Sequence, residues 1–160
     1  MTKILSLIIS FLLTIFPSSS YLQCQSQQLA FPGEKEACEM IADYIKDNDV
    51  ESIYNLYSEA DKMYNENLRE QIQNIIDSID GKIIKAKESA GVGHQSDYAN
   101  MGVYQSKRDF ALEIKTTTET YELLIFWITV DTEKPETVGL GALNLFDSNN
   151  ELVAYASYNY

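Results

Sequence analysis

The chain has 160 residues, of which 45% are hydrophobic and 22% are charged, and its formal net charge at pH 7 is −12. This length and apolar content are typical of one domain with a substantial core, and they exclude a wholly disordered chain. The acidic excess, without any cluster of Lys and Arg, argues against nucleic acid or an anionic lipid surface as partner, because both attract cations.

The first 20 residues have the three parts of a secretory signal peptide. Lys3 supplies the basic start, residues 4–16 form a mostly apolar run, and Ser18 and Ser20 supply the small side chains before a cleavage site. The apolar run is short for a membrane-spanning helix, which needs about 20 residues. We therefore expect export, cleavage after Ser20, and an extracellular or cell-surface location.

The two cysteines leave two alternatives for the mature N-terminus. Cys24 follows the signal peptide closely and could be acylated as in a lipoprotein, although Gln23 is bulky where that signal requires a small residue. Alternatively, Cys24 pairs with Cys38 in an oxidising compartment. Neither cysteine lies in a Cys-x-x-Cys arrangement, so no metal site is predicted. A lipid on Cys24 would be the predicted contact with a membrane.

A polar tether over residues 21–33 precedes a single domain over residues 34–160. Apolar residues at helical spacing predict helices over 34–46, 50–57 and 68–79. Asp49 is a suitable N-cap for the second helix, and Gly81 ends the third. Residues 58–67 carry no clear pattern.

After Gly81 the apolar period changes to two, which predicts strands over 82–87, 110–115, 121–130, 138–146 and 152–158. Residues 89–100 are predicted to be a loop, and 116–119 and 147–150 to be turns. The strand over 121–130 is apolar on both faces, which indicates a central strand that is covered on both sides. Because three short helices can cover one face, we expect a homodimer through the other.

Helices followed by antiparallel strands predict an α+β fold, with N-terminal helices packed on a curved antiparallel sheet. This order is similar to the cone-shaped domains of the cystatin-like, nuclear-transport-factor-two-like superfamily. Two segments, Asp80-Gly81-Lys82-Ile83-Ile84 and Asp131-Thr132-Glu133-Lys134-Pro135 followed by Gly139-Leu140, resemble a family of small secreted bacterial lipoproteins whose domain has no assigned function. The resemblance covers residues 34–146. It implies the cone fold and surface attachment, and it supplies no catalytic residue.

No set of residues has the pattern of a catalytic, cofactor or metal site. His94 is the only histidine and lies in a polar segment with Asp97, without the signature of a Ser-His-Asp triad. Asp147-x-Asn149-x-Glu151 opens like a calcium loop, but Leu152 stands where that loop needs Gly, so a turn is predicted.

The candidate pocket-lining residues are Tyr44, Trp127 and Asp43. Aromatic side chains can line a ligand pocket, and a carboxylate beside the core face of the first helix could serve as a base. The predicted function is a non-catalytic binding domain for an unknown apolar small molecule or protein, with no cofactor. The alternative is a small cone-fold enzyme, of isomerase or dehydratase type, that uses a buried carboxylate such as Asp43.

Overall fold

The computed structural model describes residues 31–90 and 93–157. Within these residues, helices come first and strands follow, as the α+β prediction requires. The helices are α1 (Glu34–Lys46), α2 (Val50–Leu56), α3 (Glu59–Tyr64) and α4 (Leu68–Ser78). The strands are β1 (Ile83–Glu88), β2 (His94–Asn100), β3 (Val103–Thr116), β4 (Thr120–Asp131), β5 (Gly139–Phe146) and β6 (Leu152–Ser157), with a short 3₁₀ turn at Pro135–Thr137 before β5.

The helices begin where short polar side chains cap them. The Asp49 carboxylate accepts the backbone N–H of Ser52 at 3.0 Å at the start of α2, as the sequence predicts. The unpredicted helix α3 begins in the same way, because the Ser58 hydroxyl accepts the backbone N–H of Asp61 at 3.0 Å. Helix α1 buries one face of its 13 residues in the core.

All the described strands belong to one antiparallel sheet with the order β1-β3-β4-β5-β6. Strand β2 pairs with the N-terminal half of β3 and β1 with its C-terminal half, so β1 and β2 share one edge of the long strand β3. Strand β4 has paired strands on both sides, which confirms its predicted central position.

The predicted loop over residues 89–100 is wrong for its second half, because residues 94–100 form strand β2. All seven residues of β2 are exposed, so the strand lacks the apolar alternation that identifies strands in a sequence. A hairpin turn at Met101 and Gly102 joins β2 to β3, and both residues have positive φ, 49° and 87°. Positive φ at both central positions is typical of a type I′ turn.

The helices pack against one face of the sheet, here called the inner face. Tyr121, Leu123, Ile125 and Trp127 of β4 point to the inner face and are buried in the core cluster. The opposite face, here called the outer face, carries Leu124, Phe126 and Ile128, and these side chains are half-buried.

Two glycines shape β5. The register of β4 against β5 shifts at Phe126/Trp127, where Phe126 pairs with Ala142 and Trp127 pairs with Leu140, leaving Gly141 as the extra residue of a bulge. Gly139 has φ 137°, and a Cβ there would lie 2.9 Å from the backbone N of Ser58. This close approach lets the segment before α3 reach β5. Glycine inside a strand often marks such a bulge.

Candidate functional site

A cleft opens where helices α1 and α4 end and the sheet begins. Its volume is about 530 Å³, which lies within the range of roughly 300–1,000 Å³ that is typical of small-molecule sites. The cleft is lined by the last turns of α1 and α4, by residues that follow these helices and by the start of β1: Ile45, Lys46, Asn48, Ile76, Asp77, Ile79, Gly81, Lys82 and Ile83.

The turn between β3 and β4 fixes one rim of this cleft. Gly81 has φ 82°, and a Cβ there would lie 2.7 Å from the hydroxyl oxygens of Thr117 and Thr118. The Thr118 hydroxyl donates to the carbonyl of Asp80 at 2.8 Å, and the Thr117 hydroxyl accepts the backbone N–H of Lys82 at 3.1 Å. The Asp80-Gly81-Lys82 pattern is therefore explained by the close packing of the helix-to-sheet junction on this turn.

The floor of the cleft is apolar and its rim is charged. Four isoleucines supply the apolar surface. On the rim, the Lys46 ammonium lies 2.8 Å from the Asp43 carboxylate, whereas Lys82 is exposed and makes no ion pair within residues 31–90 and 93–157. The Asp77 carboxylate accepts a hydrogen bond from the Gln73 amide at 2.8 Å. The arrangement can bind an apolar body on the isoleucines and an anionic group beside Lys82.

Asp43, the carboxylate predicted from the sequence, is not buried. Its side chain is 69% exposed on the solvent side of α1, where it pairs with Lys46. Tyr44 is half-buried and packs against the core. Neither residue lines the cleft. Because this carboxylate is open to water, the position of Asp43 does not support its role as a buried base.

Trp127 lies inside the core of the domain. Its side chain is fully buried on the inner face. The Phe31 ring lies 5.5 Å from the Trp127 ring and 6.0 Å from the Phe110 ring, between ring centroids. The structure therefore does not bring Asp43, Tyr44 and Trp127 together around one pocket.

Asp131 is one of two buried carboxylates among the described residues, and the sequence predicted neither as a site residue. Its Oδ1 accepts the backbone N–H groups of Glu133 and Lys134 at 3.0 and 2.8 Å, and its Oδ2 accepts from Gln105 and Thr137 at 2.6 and 3.1 Å. Burial raises the pKa of Asp131, but these hydrogen bonds outweigh it and hold the pKa below its ordinary value. Asp131 therefore organises the turn after β4, which explains the 131–135 pattern.

Asp61 is the second buried carboxylate, with 3% of its surface exposed. It accepts a hydrogen bond from the Ser58 hydroxyl at 2.5 Å, while that hydroxyl accepts the Asp61 backbone N–H. The Ser58-x-x-Asp61 spacing is that of a helix cap, which was the signal available in the sequence. Nearby, the Tyr57 hydroxyl donates to the carbonyl of Ala156 at 2.8 Å, and burial, followed by the charge of Asp61, raises the pKa of Tyr57.

Cys38 is buried on the inner side of α1, where its thiol donates to the carbonyl of Ala111 at a distance of 3.7 Å. Burial and the nearby carboxylates of Glu88, Glu34 and Glu39 raise the pKa of Cys38 to about 12. The thiol is therefore protonated at neutral pH, which opposes nucleophilic chemistry. Cys24, which the sequence predicts to be either acylated or paired with Cys38, lies outside the described residues.

His94 and Asp97 do not form a catalytic pair. They lie three positions apart on β2, so their side chains point to opposite faces of the strand. Asp97 instead accepts the Ser106 hydroxyl at 2.7 Å, and hydrogen bonds from Ser106 and Gln95 lower its pKa.

The predicted turn at 147–150 is confirmed, because Asp147 Oδ1 accepts the backbone N–H groups of Asn149 and Glu151 at 2.9 and 2.8 Å. Across the part of the chain that the structure describes, no group of three or more His, Cys, Asp or Glu side chains could hold a metal ion. Among the described helices, none combines the length and the apolar character needed to cross a membrane.

Comparison with known proteins gives a family but no activity. No curated protein matches the chain. The family model described as a domain of unknown function, DUF5104, matches residues 40–148. The matched segment contains both the junction that borders the cleft and the turn that Asp131 organises. With this match over more than half of its length, the chain belongs to the DUF5104 family.

Proposed function

We propose that the chain is an exported, non-catalytic binding domain of the cell surface, and that the cleft between α1, α4 and β1 binds a small amphipathic molecule with an anionic head. The observation that carries the proposal is the combination of an isoleucine floor with Lys82, whose ammonium makes no ion pair among the described residues.

The charge of the cleft favours an anionic head over a cationic one. The whole chain has a formal net charge of −12, yet the cleft is lined by Lys46 and Lys82 and by one carboxylate, Asp77. An anion beside Lys82 would form a charge-assisted hydrogen bond, and the isoleucines would shield that bond partly from water. The acidic surface elsewhere would repel the same anion, so the cleft is the favoured place for it.

The buried carboxylates give less support to the alternative, a small cone-fold enzyme. Asp131 accepts four hydrogen bonds that hold a turn, and Asp61 accepts the Ser58 hydroxyl at the start of α3. Neither residue lines the cleft. A general base needs a carboxylate that reaches the substrate, and the cleft offers only Asp77 for this role.

Two finer parts of the proposal rest on sequence. The order of helices and the curved sheet are similar to the nuclear-transport-factor-two-like cone, and we assign the domain to that superfamily. The signal-peptide pattern with Ser18 and Ser20 supports export, and Cys24 supplies the site for a lipid anchor. The signal peptide and Cys24 lie outside the described residues.

Isothermal titration with decanoate tests the proposed ligand class, since decanoate combines an apolar chain with a carboxylate. We expect wild type to bind decanoate and Lys82→Ala to bind it about ten-fold more weakly, because one charge-assisted hydrogen bond is lost. Ile79→Ser should also weaken binding, since it removes apolar surface from the floor.

Lys35→Ala is the matched control. Lys35 is an exposed lysine near the opposite end of α1, where it pairs with Glu39 at 3.8 Å, so its loss changes the net charge equally without touching the cleft. Tighter binding of decylammonium than of decanoate would contradict the proposed sign of the ligand. Equal weakening by Lys35→Ala and Lys82→Ala would show that net charge, and not the cleft, controls binding.

A further inference from the structure

The outer face of the sheet carries apolar side chains on strands β4 and β6 that the described helices do not cover. Its centre is Leu124, Phe126 and Ile128 on the central strand β4, all half-buried. On the edge strand β6, Val153 and Tyr155 are 43% and 42% exposed. Monomeric proteins rarely leave an apolar surface of several strands in water, so this face favours a partner.

The charge of the outer face differs from that of the rest of the chain. Its charged residues lie on β1, β3 and β4, and four lysines face four carboxylates, for a net charge of zero: Lys85, Lys87, Lys107, Lys115, Asp109, Glu113, Glu122 and Asp131. The whole chain has a net charge of −12. Two copies would therefore meet through this face with less repulsion than through a face of average charge.

The size of the outer face matches that of a stable interface. Five strands spaced about 4.8 Å apart, with about eight residues of roughly 3.3 Å each, give a face of about 24 Å by 26 Å. The projected area is therefore roughly 600 Å², and the relief of the side chains adds to it. A standard interface buries about 800 Å² on each partner.

We propose that two copies of this chain pack their outer faces against each other around a two-fold axis that crosses the strands near the Phe110–Ile125 pair. Sheets that stack in this aligned way lie about 10 Å apart and interdigitate their side chains. The axis places Phe126 opposite Leu124 of the partner subunit, and it places Lys107 opposite Glu113 of the partner subunit. Both placements follow from the register of β3 against β4. Lys107 pairs with Ile128 and Glu113 pairs with Glu122, and these two pairs lie equally far from the Phe110–Ile125 pair, on opposite sides of it.

Within one copy, both charged residues already lie on the outer face. The Lys107 ammonium lies 5.7 Å from the centre of the Phe126 ring. The Glu113 carboxylate lies 3.2 Å from the Lys87 ammonium. In the dimer, each charge would contact an opposite charge across the axis, and each such contact occurs twice because the interface is isologous.

A charge exchange across the axis tests this arrangement directly. The mass of the purified, cell-processed protein is measured by light scattering over a range of micromolar concentrations. We expect wild type to be dimeric, and Lys107→Glu and Glu113→Lys each to raise the dimer dissociation constant at least ten-fold. The double variant Lys107→Glu/Glu113→Lys should recover most of the affinity, because it restores opposite charges across the axis. Met63→Asp, a change at a residue of α3 that is 70% exposed, is the control and should remain dimeric.

Circular dichroism and the unfolding midpoint show whether each variant keeps its fold. A folded wild type that stays monomeric throughout this range would overturn the proposal. A wild-type dimer that neither single variant weakens would also overturn the proposal, because the interface would then lie elsewhere.

Discussion

The hydroxyl of Tyr121 accepts a hydrogen bond from the backbone N–H of Asp80 at 3.1 Å. The bond joins the central strand to the junction that forms the rim of the cleft, across 41 residues of sequence. Because Tyr121 is 4% exposed and Asp80 precedes Gly81, whose φ of 82° glycine adopts readily, this contact fixes the cleft to the core of the sheet.

Tyr121→Phe should destabilise the domain by about 1 kcal/mol, since it removes one partly buried hydrogen bond and leaves the packing of the ring unchanged. Urea unfolding measures the change in the free energy of unfolding. Tyr98→Phe is the control, because Tyr98 is 54% exposed and the hydrogen bond between its hydroxyl and the Asn100 amide is open to solvent. Equal stability of Tyr121→Phe and wild type would show that the bond to Asp80 does not support the rim.

Asp131→Asn should destabilise the domain by about 1–3 kcal/mol at neutral pH, because an amide nitrogen cannot accept the hydrogen bonds from Gln105 and Thr137. The folded-state pKa of Asp131 is lowered, so its contribution to stability is present above the unfolded pKa of about 3.9 and is lost as pH falls through the folded pKa. The difference in unfolding free energy between wild type and variant should therefore shrink below about pH 4. A difference that stays constant from neutral to acid pH would contradict the role given to the charged carboxylate.

The Cys38 thiol should resist alkylation in the folded protein. Its pKa is about 12 and its side chain is buried, so thiolate is scarce and reagent access is blocked. Mass spectrometry after iodoacetamide treatment of a Cys24→Ser variant measures the labelling of this one thiol. Urea should raise labelling to completion. Rapid labelling of the folded variant would show that the core around Cys38 opens readily to the reagent, which would contradict the prediction.

The mature protein is expected to begin either with an acylated Cys24 or with the residue after Ser20, and two measurements distinguish these outcomes. Acylation should move the wild-type protein into the detergent phase and leave Cys24→Ser in the aqueous phase. Intact mass of the processed protein gives the cleavage position, which we expect after Ser20 if Cys24 is not acylated. A product that begins at Met1 would contradict export with cleavage.

Sequence periodicity predicted the parts of the fold that bury one face. Helix α1 occupies the predicted residues 34–46, and the apolar strand over 121–130 is central. Strand β2 was missed because all its residues are exposed and its register comes from backbone bonds to β3 and the turn at Met101-Gly102. Helix α3 was missed because it has only six residues, half of them charged, and its start depends on the Ser58 cap.

The cleft could not be predicted from spacing alone. Its isoleucines come from α1, α4 and β1 and belong to different periodic patterns, so only the packing of the two helix ends reveals that they meet. Alternation also could not show which face of β4 points inward, and the structure places Trp127 on the inner face, fully buried in the core. Lys82 lies in the Asp80-Gly81-Lys82 pattern that the sequence analysis noted, but this pattern indicates a turn as readily as a binding site.

A crystal structure of the protein with decanoate tests the binding proposal most directly. The account predicts ligand density between the last turns of α1 and α4, with the carboxylate within hydrogen-bonding distance of the Lys82 ammonium and the chain on Ile76, Ile79 and Ile83. Density beside Trp127 on the inner face, or on the outer face of the sheet with the cleft empty, would contradict it.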